Sequence, residues 1–465
     1  MEASNSLKIL EQCRISPPPC SLAPKSLPLT FLDLLWLTCP NVQHILFYNY
    51  TQPSAHFTHH VLPTIKHSLS LALSRFPFLS GHLSWPPHSN NPSITYTHTD
   101  SVAVTVAQSA LNFHHHVADY ARDALQFHSL VPHLPCSETD SPVFSLQVTL
   151  FPNTGFSIGF AINHGVADGS TAHQFLSYWA EICKSDRCRS SKLPEPFYDR
   201  SVIRDPDGLE QIYLEDLKQF RGSLKSLRAR EGSPFGGSSE DFVRETFVVT
   251  KTHVQRLEHW LSKLLQEKNM SKFYTSTFVL VLAYALVCLV KARGEEMKKK
   301  VQIGFATGCR TRLGYPIPKT YFGNCIGVCW TRAMESESIR ERDGFLWASE
   351  AIGTSISDLE HGVLRGAEKW VKNSVVVPDG ESTERVMIAG TLKLNFYDVD
   401  FGFGRPRKSE VISNEKKGGI SLSESRDDGG VEIGLALKKH AMAQFSSLFV
   451  NGLKALDERV STDFM

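Results

Sequence analysis

Two short segments of the chain carry side chains whose types and spacing can do chemistry. His164-Gly165-Val166-Ala167-Asp168-Gly169 puts an imidazole four residues before a carboxylate, with a glycine next to it. A neutral imidazole, with an ordinary pKa of about 6.5, can accept a hydroxyl proton at neutral pH. Asp168 has two readings: it orients the imidazole, or it caps a helix and holds the turn through a cationic partner. The second is preferred, because Gly169 lets the chain bend and point the carboxylate away from the ring. The other segment, Asp400-Phe401-Gly402-Phe403-Gly404-Arg405-Pro406, is glycine-rich and aromatic. Each pattern is weak alone.

Regular structure must position them, and hydrophobic periodicity says where it lies. Residues 143–151 alternate, with Phe144, Leu146, Val148 and Leu150 on one side, and Pro152-Asn153-Thr154-Gly155 supplies a turn before a second strand over 156–162. The two predict a hairpin that ends just before His164. Residues 169–185 then place Ala172, Phe175, Leu176, Trp179 and Ile182 on one helical face. His164 thus stands where a rigid strand stops and a turn exposes the side chain. Upstream, residues 59–74 have helical spacing. From about residue 184 to 237, serine, proline and glycine accumulate, which predicts a crossover linker holding one polar helix over 209–230. A second unit has strands over 241–249, 301–307 and 431–437, with helices over 252–267, 276–290 and 440–456. The division expected is 1–195, a linker 196–238 and 239–465, each half an α/β unit.

Composition narrows the function classes. With 42% hydrophobic and 21% charged residues, the 465-residue chain has the profile of a globular protein. A net charge of +1 offers no field for nucleic acid or an anionic membrane, so an anionic substrate must be held by local cations. The ten cysteines are scattered, and Cys325 and Cys329 have no second pair, so no metal site is expected. The start lacks a basic-then-apolar leader, which predicts a cytosolic chain. Residues 278–290 are unbroken apolar but short of the roughly 20 a bilayer requires, so a buried core helix is expected.

Taken together, His164 to Gly169, Tyr321-Phe322-Gly323-Asn324-Cys325, Asp400 to Pro406 and residues 420–427 resemble the plant BAHD acyltransferase family, whose marks are a His-x-x-x-Asp motif and a distal Asp-Phe-Gly-Trp-Gly motif. The Tyr-Phe-Gly-Asn-Cys segment looks like the branch acting on anthocyanin and other phenolic glucosides. Residues 27–31, 196–200 and 430–434 fit as well, so the resemblance runs from about Leu27 to Leu456. It implies an α/β fold of two chloramphenicol acetyltransferase-like domains with a channel between them. His164 would lie mid-channel as the general base, reached by acyl-coenzyme A from one face and the acceptor from the other. The acceptor oxygen would attack the thioester directly, with no covalent enzyme intermediate and no permanently bound cofactor.

The resemblance also assigns residues. Asp168, Gly169, Gly402, Phe403 and Gly404 belong to the structural motifs, while Asp400 is either structural or a proton acceptor. Phe403 stands where the family has Trp; lacking an N–H, it gives no donor to an oxyanion hole, although its bulk preserves packing. The pantetheine arm is implied beside Ser276 and Thr277, where Ser276 reads equally as a helix cap. Arg310 and Arg312 bind phosphate or pair with Asp168. Malonyl is the implied acyl group, with His44 and His173 as candidate cations for its second carboxylate; hydroxycinnamoyl is the alternative. A monomer acting on a phenolic glucoside is expected, with no nucleic acid or membrane partner. The reading from another class is a catalytically silent relative that binds metabolites.

Two patterns are set aside. Gly155-Phe156-Ser157-Ile158-Gly159 matches a serine-hydrolase elbow, but it covers a hairpin turn and strand where that elbow needs a strand followed by a helix. The histidines His56, His59, His60 and His114 to His116 have no acid or thiol at ligand spacing.

Overall fold

The alternating residues before His164 form the middle of a six-stranded sheet. The computed structural model describes residues 7–463 except 20–22, 24, 87–88, 90, 136–138, 186–193, 222–240, 376–381, 414–417 and 428. Phe144–Phe151 and Gly155–Ile162 pair antiparallel, and Asn153 turns the hairpin at φ 60°, a left-handed conformation that asparagine tolerates. The sheet runs Leu7–Ile15, Val102–Ser109, Phe144–Phe151, Gly155–Ile162, Val42–Asn49, Lys408–Val411. Both hairpin strands are buried along their whole length, because each face is covered. Phe175, Leu176 and Trp179 of helix Gly169–Ser185 pack on one, and Phe113, Phe127 and Phe151 form a cluster with Phe47 on the other. A one-residue slip would turn every one of these side chains to the wrong face.

The second sheet runs Ile326–Trp330, Lys300–Gly308, Thr383–Thr391, Ile420–Glu424, Val431–Lys438, Phe242–Val249, Arg122–Asp123. Helix Thr277–Arg293 lies against it, buried from Val279 to Val290 among helices Lys251–Glu267, Gly344–Ser357 and Lys439–Asp463. It is long and apolar enough to cross a membrane by composition, yet protein surrounds it, as befits a helix apolar all round. The Ser276 hydroxyl accepts the Val279 N–H at 3.4 Å, the cap geometry that contributes about 1 kcal/mol. Of the polar helix expected over 209–230, Leu209–Arg221 is helical, and the remainder lies outside the described residues. The helix expected from residue 59 begins as a π-helical turn, Phe57–Val61, before Leu62–Leu73.

Two short strands cross between the sheets, and periodicity could not have found segments of that length. Lys408–Val411, from the C-terminal half, extends the first sheet beside Val42–Asn49. Arg122–Asp123 extends the second beside Phe242–Val249. Buried charge clamps them where they meet: Glu410 accepts from Arg122 at 3.1 Å and from Arg244 at 2.9 Å. Burial alone would push the Glu410 carboxyl up, but Arg244, Arg122 and Lys408 hold it far below the usual range. The clamp fixes the spacing of the two sheets, and the space between them is the site.

Candidate active site

A cavity of about 950 Å³ lies between the halves, walled by Trp36, His44 and His164 from the first and by Val328, Trp330 and Met387 from the second. His164 follows strand Gly155–Ile162 in a tight turn. The Asn163 side chain fixes that turn by accepting the Gly165 N–H at 3.0 Å. Trp36 stacks flat on the imidazole, with ring centroids 4.5 Å apart and planes 9° from parallel. Nδ1 is sealed away without a hydrogen-bond partner, and the residue lines the cavity. Burial lowers the His164 pKa below its ordinary 6.5, against weaker upward pulls from its own carbonyl, Asp168 and Asn324. The ring is therefore neutral at pH 7, and such an imidazole can take a proton from a hydroxyl in the cavity.

Asp168 does not reach the ring. Its carboxylate accepts the Thr171 N–H at 2.9 Å, capping helix Gly169–Ser185, and the Cys325 N–H at 3.0 Å. Arg310 grips both of its oxygens, at 2.7 and 3.3 Å. Of the two readings of Asp168 the cap with a cationic partner is the one observed, and Arg310 is that partner. Thr171 adds a reciprocal pair with Gly323, at 2.9 and 3.2 Å. These bonds dock the Tyr321 to Cys325 segment onto the His turn. Asn324 then donates to the His164 carbonyl at 2.9 Å and to Asp33 at 3.1 Å. Arg200 completes the set, donating to the Tyr321 hydroxyl and the Phe322 carbonyl at 2.6 Å each. Gly323, at φ 135°, makes room for it, since a Cβ there would sit 2.0 Å from the guanidinium.

Sequence reasoning gave Trp36, Asp33 and Asn324 no role. The signal for Asn324 was present in the Tyr-Phe-Gly-Asn-Cys likeness, and for Arg200 in residues 196–200, but neither segment named a contact. Trp36 had no signal beyond lying in an apolar run.

The other expected site residues fall in different places. Asp400 is not in the cavity wall: one oxygen accepts the N–H groups of Gly402 and Gly404 at 2.8 and 2.9 Å, and the other meets Lys184 at 2.8 Å. The proton-acceptor reading of Asp400 therefore finds no reacting group, and the carboxylate shapes its own loop. Gly402 and Gly404 stand at φ 96° and 90°, conformations that need glycine. Phe403 packs edge-on against Tyr50 and Phe156, outside the cavity wall. No oxyanion donor is lost by its lacking an indole.

His44 does line the cavity, but it is no cation. It bonds to the Ser409 hydroxyl at 2.7 Å, and burial pushes its pKa down to about 3. The expectation that it would answer a second carboxylate is corrected by its desolvation. His173 meets the Asn395 carbonyl at 3.1 Å. Arg312 lines the cavity, donating to the Gly308 carbonyl at 3.0 Å. Ser276 is the helix cap, and Thr277 borders a separate cavity with Lys251, Gln255 and Gly429.

Known proteins of like sequence and shape bear on this geometry. The model of the Transferase family matches residues 6–451. Phenolic glucoside malonyltransferase 2 of Arabidopsis thaliana is 37% identical, over 96% of this chain and 99% of its own. The malonyl-coenzyme A:anthocyanin 3-O-glucoside-6''-O-malonyltransferase of Dahlia pinnata is 36% identical, over 98% and 99%. Among solved structures, vinorine synthase superposes with a TM-score of 0.68 at 21% identity, over 96% of this chain and 98% of that one, which establishes the shared fold of two chloramphenicol acetyltransferase-like domains. With the family model and the curated relatives spanning nearly all of the sequence, the chain belongs to the Transferase (BAHD) family and is an acyl-coenzyme A-dependent acyltransferase.

Proposed function

We propose that the protein moves a malonyl group from malonyl-coenzyme A to a sugar hydroxyl of a phenolic or flavonoid glucoside, with His164 as general base. The carrying observation is the His164 ring, stacked on Trp36 and lining a cavity walled by both halves. The acceptor hydroxyl gives its proton to Nε2 as its oxygen forms a bond to the thioester carbonyl carbon. The tetrahedral intermediate then breaks its carbon–sulfur bond, and the proton passes from His164 to the departing thiolate. General-base catalysis of this kind is worth about 10²- to 10⁴-fold.

The malonyl donor is supported by the names of the relatives and by two cations in the cavity wall. Arg312 and Lys393 both line it, and neither pairs with a carboxylate among the described residues. They replace His44 as the groups that would answer the second carboxylate. Coenzyme A would approach past Thr277 and Lys251, whose cavity suits an anionic end. Asp168, Arg310 and Asn324 are positioning residues in this reading, as is Asp400 at greater distance. The division into 1–195, 196–238 and 239–465, a monomeric state and a cytosolic location complete the proposal.

The test is a donor panel of malonyl-, acetyl-, coumaroyl- and caffeoyl-coenzyme A against several flavonoid glucosides, read by mass shift. Malonyl transfer is expected to dominate and to weaken about tenfold or more relative to acetyl transfer in Arg312→Gln with Lys393→Gln. A coumaroyl preference would reassign the donor, and no transfer with any donor would leave a silent binding protein.

A further inference from the structure

Several buried guanidinium groups face a carboxylate; in the cavity wall Arg385, like Arg312, does not among the described residues. Arg122 and Arg244 share Glu410, Arg200 faces Asp33, Arg293 pairs with Glu384 and Arg310 with Asp168. Arg385 is half-buried on strand Thr383–Thr391 and lines the same cavity as His164. Among the described residues it pairs with no carboxylate. Its Nη1 donates to the Asn373 carbonyl, and its Nε is sealed without a partner, which leaves Nη2 as the remaining donor nitrogen. Burial lowers its pKa from the ordinary guanidinium value, the behaviour of a cation whose charge is not answered.

The backbone is built to hold this group in place. Its guanidinium lies 4.4 Å over the ring of Trp330. Gly304 is paired with Trp330 on one side and with Met387 on the other. A Cβ at that position would come within 2.5 Å of the indole and 2.7 Å of the thioether sulfur. Glycine there is what lets the indole lie down across the sheet with Arg385 above it.

Register gives the distance from the chemistry. The Ile326 carbonyl accepts the Trp36 indole N–H, and Trp36 stacks on His164, so Ile326 marks the level of the base. Trp330 is four residues further along strand Ile326–Trp330, about 13 Å at the usual rise per residue. A malonyl carboxylate lies two carbon–carbon bonds from its thioester carbonyl, about 3 Å, and cannot span that gap. An acceptor that reacts at a sugar hydroxyl carries its aglycone that far along the wall.

We infer that Trp330 and Arg385 form the subsite for the acceptor's aglycone, and that the aglycone is a planar aromatic ring bearing a carboxylate. The ring packs against Met387 at the side of the Arg385–Trp330 stack, and the carboxylate takes the charge-assisted hydrogen bond that Arg385 has no other acid among the described residues to make. The inference rests on the glucoside acceptor proposed above.

Calorimetric titration of the purified protein, without acyl donor, with carboxyphenyl β-glucoside and with phenyl β-glucoside tests it. The wild type is expected to bind the carboxylated compound at least about tenfold more tightly, the worth of one hydrogen bond to a charged group. Arg385→Gln is expected to shrink that preference to within about twofold, and Arg385→Lys, which keeps the charge, to retain about threefold. Equal affinities in the wild type, which needs no variant to fold, overturn the inference. So does an undiminished preference in Arg385→Gln. Malonyl transfer to either glucoside, read by mass shift, judges the acceptor reading separately: a binding preference without transfer upholds the subsite and sinks the proposed reaction.

Discussion

Asp168 and Asp400 stand in similar words of the sequence, each followed within two residues by glycine and each meeting a cation, but they are different devices. Asp168 is 1% exposed and Arg310 16%, and the pair is joined by two backbone donors from separate segments. The Asp400 side chain is 21% exposed and Lys184 51%, and its backbone donors both come from its own loop. A buried pair that loses one member leaves an uncompensated charge at about 3–5 kcal/mol, whereas an exposed pair is worth about 0–1 kcal/mol. The difference teaches that a shared motif vocabulary does not mean a shared role. Asp168 ties the helix after His164 to the segment whose Asn324 holds the His164 carbonyl. Asp400 shapes the loop that hands the chain to strand Lys408–Val411.

The widest gap between the two segments is expected in catalysis. His164→Ala should lower kcat by about 10²- to 10⁴-fold with its melting curve intact, while Asp400→Ala should change the rate per folded molecule by no more than about threefold. Comparable rate losses in the two variants would erase the distinction. Next in size is stability: Asp168→Ala should cost about 3–5 kcal/mol by urea denaturation, because Arg310 is left buried and unpaired. Asp400→Ala should cost about 1–2 kcal/mol, a surface pair plus two backbone hydrogen bonds. Burial opposes ionisation of Asp400, but Lys184 and the two glycine N–H groups hold its pKa below the ordinary value. Its contribution is therefore present above the usual carboxylate pKa and fades as pH falls through the lowered one.

A smaller effect separates the two in the pH profile. The acid limb of kcat/KM should lie below 6.5, because burial lowers the His164 pKa. Asp168 pulls that pKa upward, so Asp168→Asn should move the limb to still lower pH, and Asp400→Asn should leave it where it is. A limb that rose in Asp168→Asn would mean that the carboxylate does not act on the ring.

The sequence made the His164 turn legible because strand, turn and helix each leave a strong periodic mark. The core helix was equally plain, since an apolar run packed by protein on every side needs no polar face. The crossing strands Lys408–Val411 and Arg122–Asp123 were not legible: they are too short for alternation, and buried charge rather than pattern holds them. His44 was misjudged for the same reason. A histidine in a sequence shows its type and not its desolvation, and the side chains that surround it come from Ser409, Phe160 and Phe396, far apart in the chain. Asn324 could be noticed but not used, because its partners are His164 and Asp33, and only folding brings them together.

Phe403 gives the finest test of the contrast between the segments. If the Asp400 loop touched the reaction, restoring an indole at residue 403 would supply an N–H to the site and raise the rate. Phe403 instead meets Tyr50 and Phe156 edge-on, at centroid distances of 6.3 and 5.6 Å, and it is absent from the cavity wall. Phe403→Trp should therefore leave kcat within about twofold, since no reacting atom is within its reach. The larger ring must be fitted beside two aromatics, so stability should shift by about 1 kcal/mol, at the low end of what overpacking costs, because the site is only partly buried. Steady-state kinetics and a melting curve on one preparation decide it: a tenfold gain in kcat would bring the second segment into the chemistry and leave the two aspartates less different than their burial makes them.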